Sequence, residues 1–244
     1  MTAIRITDLV KQFRGVTAVD HLTLSVEQGE TFALLGVNGA GKTTALRMLA
    51  CLTRPTAGDA LLMGKSILTQ PGEVKKSINL SPQETAVAPN LTARENLELM
   101  AGVYGFSRSQ ARSMAGEMIE RLSLQEVAGR RAKTLSGGWQ RRLSIAMALI
   151  TNPQILFLDE PTLGLDVLAR RQLWSVIAGL KGKVTTILTT HYLEEAETLA
   201  DRIGIMVRGS VLALGTAAEL KAQTGTTSLE DAFVALAEEG AETI

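Results

Sequence analysis

The sequence predicts an α/β fold with a largely parallel sheet, on three observations. Strand-like segments open the chain, and others return after residue 155, where they alternate with helical stretches. One early segment, Thr31–Leu35, is nearly continuously apolar, as strands buried on both faces of a parallel sheet are. Between these regions, residues 84–150 show helical spacing and no convincing strand, which predicts a helical lobe inserted into the core. The 244 residues suffice for one large domain with such an insertion, and the 45% hydrophobic content can fill its core.

The elements follow in order. Ile4 and Ile6 alternate with polar residues, as do Leu22, Leu24 and Val26, so residues 3–35 read as strands. Gln28-Gly29 turns the chain into Thr31–Leu35. A glycine-rich loop comes next, then a helix from about Thr43 to Leu52. Cys51, the single cysteine, excludes an intramolecular disulfide and reads as a small core residue rather than a reactive thiol. Thr92-Ala-Arg-Glu95 is a capping box, and Ser107–Gln110 resembles another. Met114, Met118, Ile119 and Leu122 then stand at helical spacing and read as core.

Sheet character returns at Ile155–Leu158. Leu173, Val176, Ile177 and Leu180 mark a helix, and Val184–Thr190 and Ile203–Val207 are further strands. Gly209-Ser210 turns into Val211–Leu214. Ser228–Asp231 caps a short terminal helix with Leu229, Phe233 and Leu236 on one face.

Basic and acidic residues balance at 25 each, which argues against a protein whose main task is coating nucleic acid. The N-terminus lacks the apolar run of a signal peptide, and no uncharged apolar stretch approaches the ~18 residues of a membrane span. Work at a membrane would therefore require a partner. No zinc spacing is present.

Three constellations carry chemistry. Gly36-Val-Asn38-Gly39-Ala40-Gly41-Lys42-Thr43 matches the phosphate-binding loop, here between a strand and a helix. Glycines let several backbone N–H groups face one anion, and the following helix turns its positive dipole end toward it. Lys42 is expected to reach the β- and γ-phosphates of ATP and Thr43 to ligate Mg²⁺, with Thr44 next in the loop. Ile155–Leu158 delivers Asp159 and Glu160 to the carboxyl edge of the sheet, where ligands bind in open α/β sheets. Asp159 is expected to hold Mg²⁺, and Glu160 to accept a proton from the attacking water. Leu135-Ser136-Gly137-Gly138 reads as a turn capping a helix over Trp139–Ile150, whose start is a second anion site.

These segments, with Gln83, Asp166 and His191 in the same chain order, resemble the ATP-binding cassette (ABC) ATPase subunits over about residues 4–220. The resemblance implies an ABC ATPase domain at 1–220 with an N-terminal antiparallel β portion, the helical lobe at 84–150, and a helical tail at 221–244. It implies a head-to-tail dimer, homomeric or pseudo-symmetric, in which Ser136, Gly137 and Gly138 close over the ATP held by the partner's loop. It makes Gln83 a Mg²⁺ contact that senses a membrane partner, and His191 a γ-phosphate ligand. It places Asp166 in a segment crossing the interface, and Phe13 against adenine, with a core Phe as the alternative. Trp139 departs from the family, which most often has Gln or another polar residue there. It is expected beside the partner's nucleotide, unless it fills the helical lobe.

The Gly102–Gly105 stretch and the Ser228–Phe233 tail resemble the subfamily that pairs with a separate export permease. Drug, antibiotic, sodium and polysaccharide exporters share that look. The resemblance thus implies an ATPase at the cytoplasmic face of a membrane, bound to a permease, with an importer as a variant. A soluble ATPase that regulates or assembles a protein complex is the alternative. Val87 and Leu91, in a stretch that carries Pro82 and Pro89, are expected to be exposed and to line the permease groove.

Overall fold

The computed structural model describes residues 1–242, with side chains through Glu238. The end of the 221–244 tail therefore lies outside the described residues.

Two sheets organise the chain. Strands β1 (Thr2–Phe13) and β2 (Val16–Glu27) pair antiparallel through a two-residue turn, Arg14-Gly15, with φ of 44° and 86°. Two-residue hairpin turns favour that left-handed pair because it matches the twist of the strands. β1 also pairs with β4 (Ala57–Leu62), which pairs with β5 (Lys65–Ser66), giving the order β2-β1-β4-β5. This is the expected antiparallel portion.

The second sheet contains β3 (Thr31–Leu35), β6 (Ile78–Ser81), β7 (Ile155–Asp159), β8 (Thr185–Thr190), β9 (Arg202–Val207) and β10 (Ser210–Gly215). Their order is β10-β9-β3-β8-β7-β6, parallel throughout except for β10 against β9. Every residue of β3, β7 and β8 is buried. Side chains alternate between two cores. Phe32, Leu34, Ile155 and Phe157 join the core under the first sheet and α1 (Lys42–Leu49), whereas Ala33, Leu35, Leu156 and Leu158 join the core under the other helices.

Helices α3 (Ala93–Val103) and α4 (Arg108–Arg121) form the lobe, and both carry the expected capping boxes at Thr92 and Ser107. Met118, Ile119 and Leu122 are buried, and Met114 packs beside them. α5 (Gly137–Leu149) touches the lobe helices and also β6 and β7, and its residues Arg141–Leu149 are all buried. It therefore joins the lobe to the sheet. α6 (Val167–Ala178), α7 (Leu193–Leu199), α8 (Ala217–Thr224) and α9 (Leu229–Glu242) complete the second half. Leu229 and Leu236 are buried as expected, Phe233 partly so.

Several elements differ from the sequence expectation. α1 stops at Leu49 rather than near Leu52, because Cys51 adopts φ 55° and the N–H groups of Leu52 and Thr53 both turn back to the Arg47 carbonyl. Such a left-handed residue ends a helix whichever side chain it carries. Cys51 is consequently only part-buried. Residues 53–81 hold β4, β5, α2 (Pro71–Ser77) and β6, elements too short for a periodic signal. Val87 and Leu91 are half-buried, not exposed, and Val87 packs on the helical core.

Candidate active site

The parallel register aligns the functional ends. Leu35 pairs with Thr190, and Asp159 with Thr189, so the segments leaving β3, β8 and β7 emerge side by side at one edge. β3 leads into Gly36–Thr43, β7 ends on Asp159-Glu160, and β8 precedes His191.

The loop conformation needs its glycines. Gly39 and Gly41 have φ of 82° and 104°. A Cβ on Gly41 would collide with the Ala18 carbonyl of β2, and one on Gly36 with the Met206 carbonyl of β9. The loop is thus wrapped tightly against both sheets. It opens on a cavity of about 360 Å³ lined by Asn38–Thr44, Ala18, Gln83, Glu160 and Leu163. Gly41 caps α1 without a side-chain hydrogen bond, so the first N–H groups of the helix face the cavity free of any cap. That cradle, with the buried cation of Lys42, fits a polyphosphate.

The Lys42 ammonium donates to the carbonyls of Gly36 (2.7 Å) and Val37 (3.1 Å) and pairs with Glu160 at 3.2 Å. The other Glu160 oxygen is 2.8 Å from His191 Nδ1. With the carboxylate ionised, Nδ1 carries the hydrogen and donates it. Glu160 itself has φ 47°, an uncommon conformation for a residue with a side chain. Its N–H is held by the Thr189 carbonyl (3.2 Å) and hydroxyl (3.0 Å). A residue over-determined in this way keeps its carboxylate aimed at one place.

Asp159 Oδ1 accepts from Thr43 Oγ1 (2.9 Å) and Thr189 Oγ1 (2.7 Å). Among the described residues no three His, Cys, Asp or Glu side chains cluster as a metal cage. Mg²⁺ does not require one, since it binds through one or two carboxylates together with substrate phosphates. Thr43, Asp159 and nearby Gln83 would offer the hard oxygen ligands such an ion takes, and the ion would neutralise phosphate charge.

The remaining expected residues sit apart from the cavity. Phe13 is 46% exposed, which removes the core alternative, and Lys11 Nζ lies 4.7 Å from its ring centroid. Asp166 caps α6 by accepting the Ala169 N–H at 2.9 Å. Ser136 occupies the N-cap of α5, which starts at Gly137 rather than Trp139, and its hydroxyl caps nothing and stands free beside exposed Gly137. A Cβ on Gly138 would stand 2.9 Å from Ala169 Cβ, so this end of α5 lies directly against α6. Trp139 does not reach the nucleotide cavity of its own chain. It lines a separate cleft between α4, α5 and α6, with the Arg142 guanidinium 4.7 Å from its ring centroid.

Sequence reasoning missed Arg141. Its guanidinium donates to the carbonyls of Pro82 (2.5 Å), Pro161 (2.8 Å), Glu160 (2.6 Å) and Asp159 (3.3 Å). Burial lowers its pKa from the usual arginine value, against the opposing charges of Asp159, Glu195 and Glu160. An arginine among apolar helix residues gives no local sign of this; only a start in α5 facing the β7 end reveals it.

Comparison with known proteins gives one answer. The family model described as ABC transporter matches residues 19–163. The chain is similar to the daunorubicin/doxorubicin resistance ATP-binding protein DrrA of Streptomyces peucetius, at 44% identity over 93% of this chain and 69% of that one. It thus spans about two thirds of that relative's length. Among solved structures, an ATP-binding subunit of an ABC transporter matches with TM-score 0.84 and 28% identity, covering 96% of this chain and 99% of that one. A dimeric ATP-binding cassette in a post-hydrolysis state, bound to ADP and Pi, matches with TM-score 0.78 and 27% identity, covering 87% and 98%.

Proposed function

This chain belongs to the ABC transporter family, and on that premise we propose that it is the ATPase subunit of an exporter, driving a separate membrane permease whose cargo is an amphipathic drug-like molecule. The observation that carries the chemical part is the meeting of Lys42, Asp159, Glu160 and His191 at one sheet edge: Lys42 and Glu160 line the cavity, His191 is bonded to Glu160, and Asp159 to Thr43 of the loop. In this reading Gly39–Thr44 bind the phosphates of ATP and Lys42 neutralises them. Glu160 takes the proton of the attacking water, and His191 orients Glu160 and meets the γ-phosphate. Thr43, Asp159 and Gln83 hold Mg²⁺.

The working unit is a head-to-tail dimer of ATPase subunits. Two features support it: the free Ser136 hydroxyl beside exposed Gly137, and the dimeric state of the solved relative bound to ADP and Pi. The cargo class and export direction rest on the name of the drug-resistance relative.

No described helix is long and apolar enough to cross a membrane, so attachment falls to a surface. Gln83 lines the nucleotide cavity and also a neighbouring cleft of about 510 Å³, whose walls include Leu46, Arg47, Leu52, Pro82 and Ala86. Leu52 is 60% exposed there. A permease helix seated in this cleft would touch the residue that also faces the nucleotide. The cleft, rather than Val87 and Leu91, is therefore the permease groove.

Co-expression with a multi-span membrane protein, sought first among the products of neighbouring genes, tests the reading. The two proteins should co-purify from membranes, and vesicles holding both should move an anthracycline only with ATP. Recovery of the chain on a soluble complex, with no multi-span partner, would replace the exporter with a regulatory ATPase.

A further inference from the structure

Arg141 and Glu195, from two different helices, grip the same stretch of chain, and neither lines the nucleotide cavity. Arg141, 4% exposed, reaches from α5 and holds four carbonyls, three of them in Asp159–Pro161. The fourth belongs to Pro82, immediately before Gln83. Glu195, fully buried, reaches from α7, and its Oε1 accepts from Thr162 Oγ1 (2.8 Å) and Trp174 Nε1 (3.1 Å). The Thr190 hydroxyl, at the strand end before His191, also faces this carboxyl. Its second oxygen is buried without a hydrogen-bond partner among the described residues.

A buried guanidinium spread over four carbonyls is an expensive way to stabilise a fold, because the charge has lost its water and gained no direct carboxylate partner. What the arrangement supplies is position. A guanidinium is a rigid planar fork, so its acceptors must keep fixed relative places. Here those acceptors are the backbone of Glu160, its two neighbours, and the residue before Gln83.

We propose that Arg141 and Glu195 are positioning residues that clamp Asp159–Thr162 at two points, fixing the Glu160 carboxylate relative to Lys42 and Gln83. Arg141 lies one turn along α5 from Ser136–Gly138, so a shift of that helix end is delivered to the Glu160 backbone and to Gln83 together. Thr162 carries the other grip, through Glu195, to the strand end that bears His191. A misplacement of about 1 Å at a reacting group lowers rate about a hundredfold, so such a clamp acts mainly on kcat.

The proposal rests on Glu160 being the base, and the experiment reads the two separately. Steady-state ATPase kinetics and thermal unfolding are measured for Arg141→Lys, Arg141→Met, Thr162→Val, Glu195→Gln and Trp174→Phe, with Glu160→Gln alongside. Arg141→Lys keeps the charge but loses the fork, and should lower kcat about tenfold or more with KM for ATP within about twofold. Thr162→Val should lower kcat in the same manner. Glu195→Gln keeps an oxygen for both bonds and should stay within about threefold of wild type. Trp174→Phe cuts the bond from Glu195 to α6 only; it should lower the melting temperature and leave kcat unchanged.

Should Arg141→Met fail to fold, Arg141→Lys and Thr162→Val carry the test. Wild-type kcat in folded Arg141→Lys overturns the clamp. So does a set of variants whose kcat losses simply follow their losses in melting temperature, Trp174→Phe included. Turnover retained by Glu160→Gln removes the group being positioned and overturns the base assignment with it, whereas a dead Glu160→Gln beside a fully active Arg141→Lys sinks the clamp alone.

Discussion

The two glycine-rich segments of this chain present opposite pictures. Around Gly36–Thr43 the polar groups answer one another within the chain: Lys42 with Glu160, Glu160 with His191, and Asp159 with Thr43 and Thr189. Around Leu135–Gly138 the Ser136 hydroxyl caps nothing, and Ser136 and Gly137 stand in solvent at the start of a buried helix. The first is a finished site. On the proposed head-to-tail dimer the second is half of one, and its acceptor is the nucleotide held by the partner. Local sequence does not reveal this difference, since both segments read as an anion-binding helix start.

The largest expected effect breaks the finished site. Glu160→Gln should lower kcat by about two to four orders of magnitude, the range for removing a general base. It should keep ATP binding and leave a nucleotide-bound dimer detectable by sizing. Lys42→Ala should instead weaken ATP binding itself, seen by titration with a fluorescent ATP analogue.

Breaking the half site should look different. Ser136→Ala removes one hydrogen-bond donor to the partner's phosphate and should lower turnover about tenfold. ATP binding to dilute, separated protomers should not change, because the segment is remote from the cavity of its own chain. Equal losses of binding and turnover would merge the two regions into one site and remove the case for a dimer.

A smaller effect sharpens the geometry. In a Trp174→Phe background Trp139 is the sole tryptophan. Its ring lies in an intramolecular cleft under Arg142. Arg142→Met should therefore shift its emission, while ATP added to the Glu160→Gln form should leave it nearly unchanged. A strong ATP-dependent shift that scales with protein concentration would place Trp139 at the interface.

The smallest effect is on stability. Burial raises the Glu195 carboxyl above its ordinary pKa of 4.5. The folded chain thus holds this proton more tightly than the unfolded chain. The contribution is complete below pH 4.5 and is lost as pH rises toward the folded value. Glu195→Gln has no proton to lose, so its melting temperature relative to wild type should climb as pH rises from there. A pH-independent difference would mean that the carboxyl is ionised in the fold.

What the sequence revealed follows from how local each signal is. The phosphate loop and the Asp159-Glu160 strand end are contiguous, and their chemistry could be read directly. Gln83, Asp166 and His191 are single residues in ordinary surroundings, and only the family resemblance singled them out. Arg141, Thr162 and Glu195 stayed hidden because they act on the backbone and hydroxyl groups of segments far away in sequence. The capping boxes at Thr92 and Ser107 could be read to the residue, since a cap is set within four positions. The stretch 53–81 offered nothing comparable: β5 is two residues long, and α2 is held by its neighbours rather than by its own periodicity.

The side-by-side emergence of β3, β7 and β8 also bears on how the protein survives in a cell. Residues 36–44, 83, 159–160 and 191 meet only once the parallel strands have paired in register. Such pairing joins distant parts of the chain and forms slowly. A partly folded chain therefore has no nucleotide site, and the nucleotide binds the native state alone. At a free ATP concentration a hundredfold above its dissociation constant, that preference adds about 2.7 kcal/mol to folding stability. A fall in cellular ATP would then both idle this subunit and loosen its fold, exposing the idle molecules first to proteolysis.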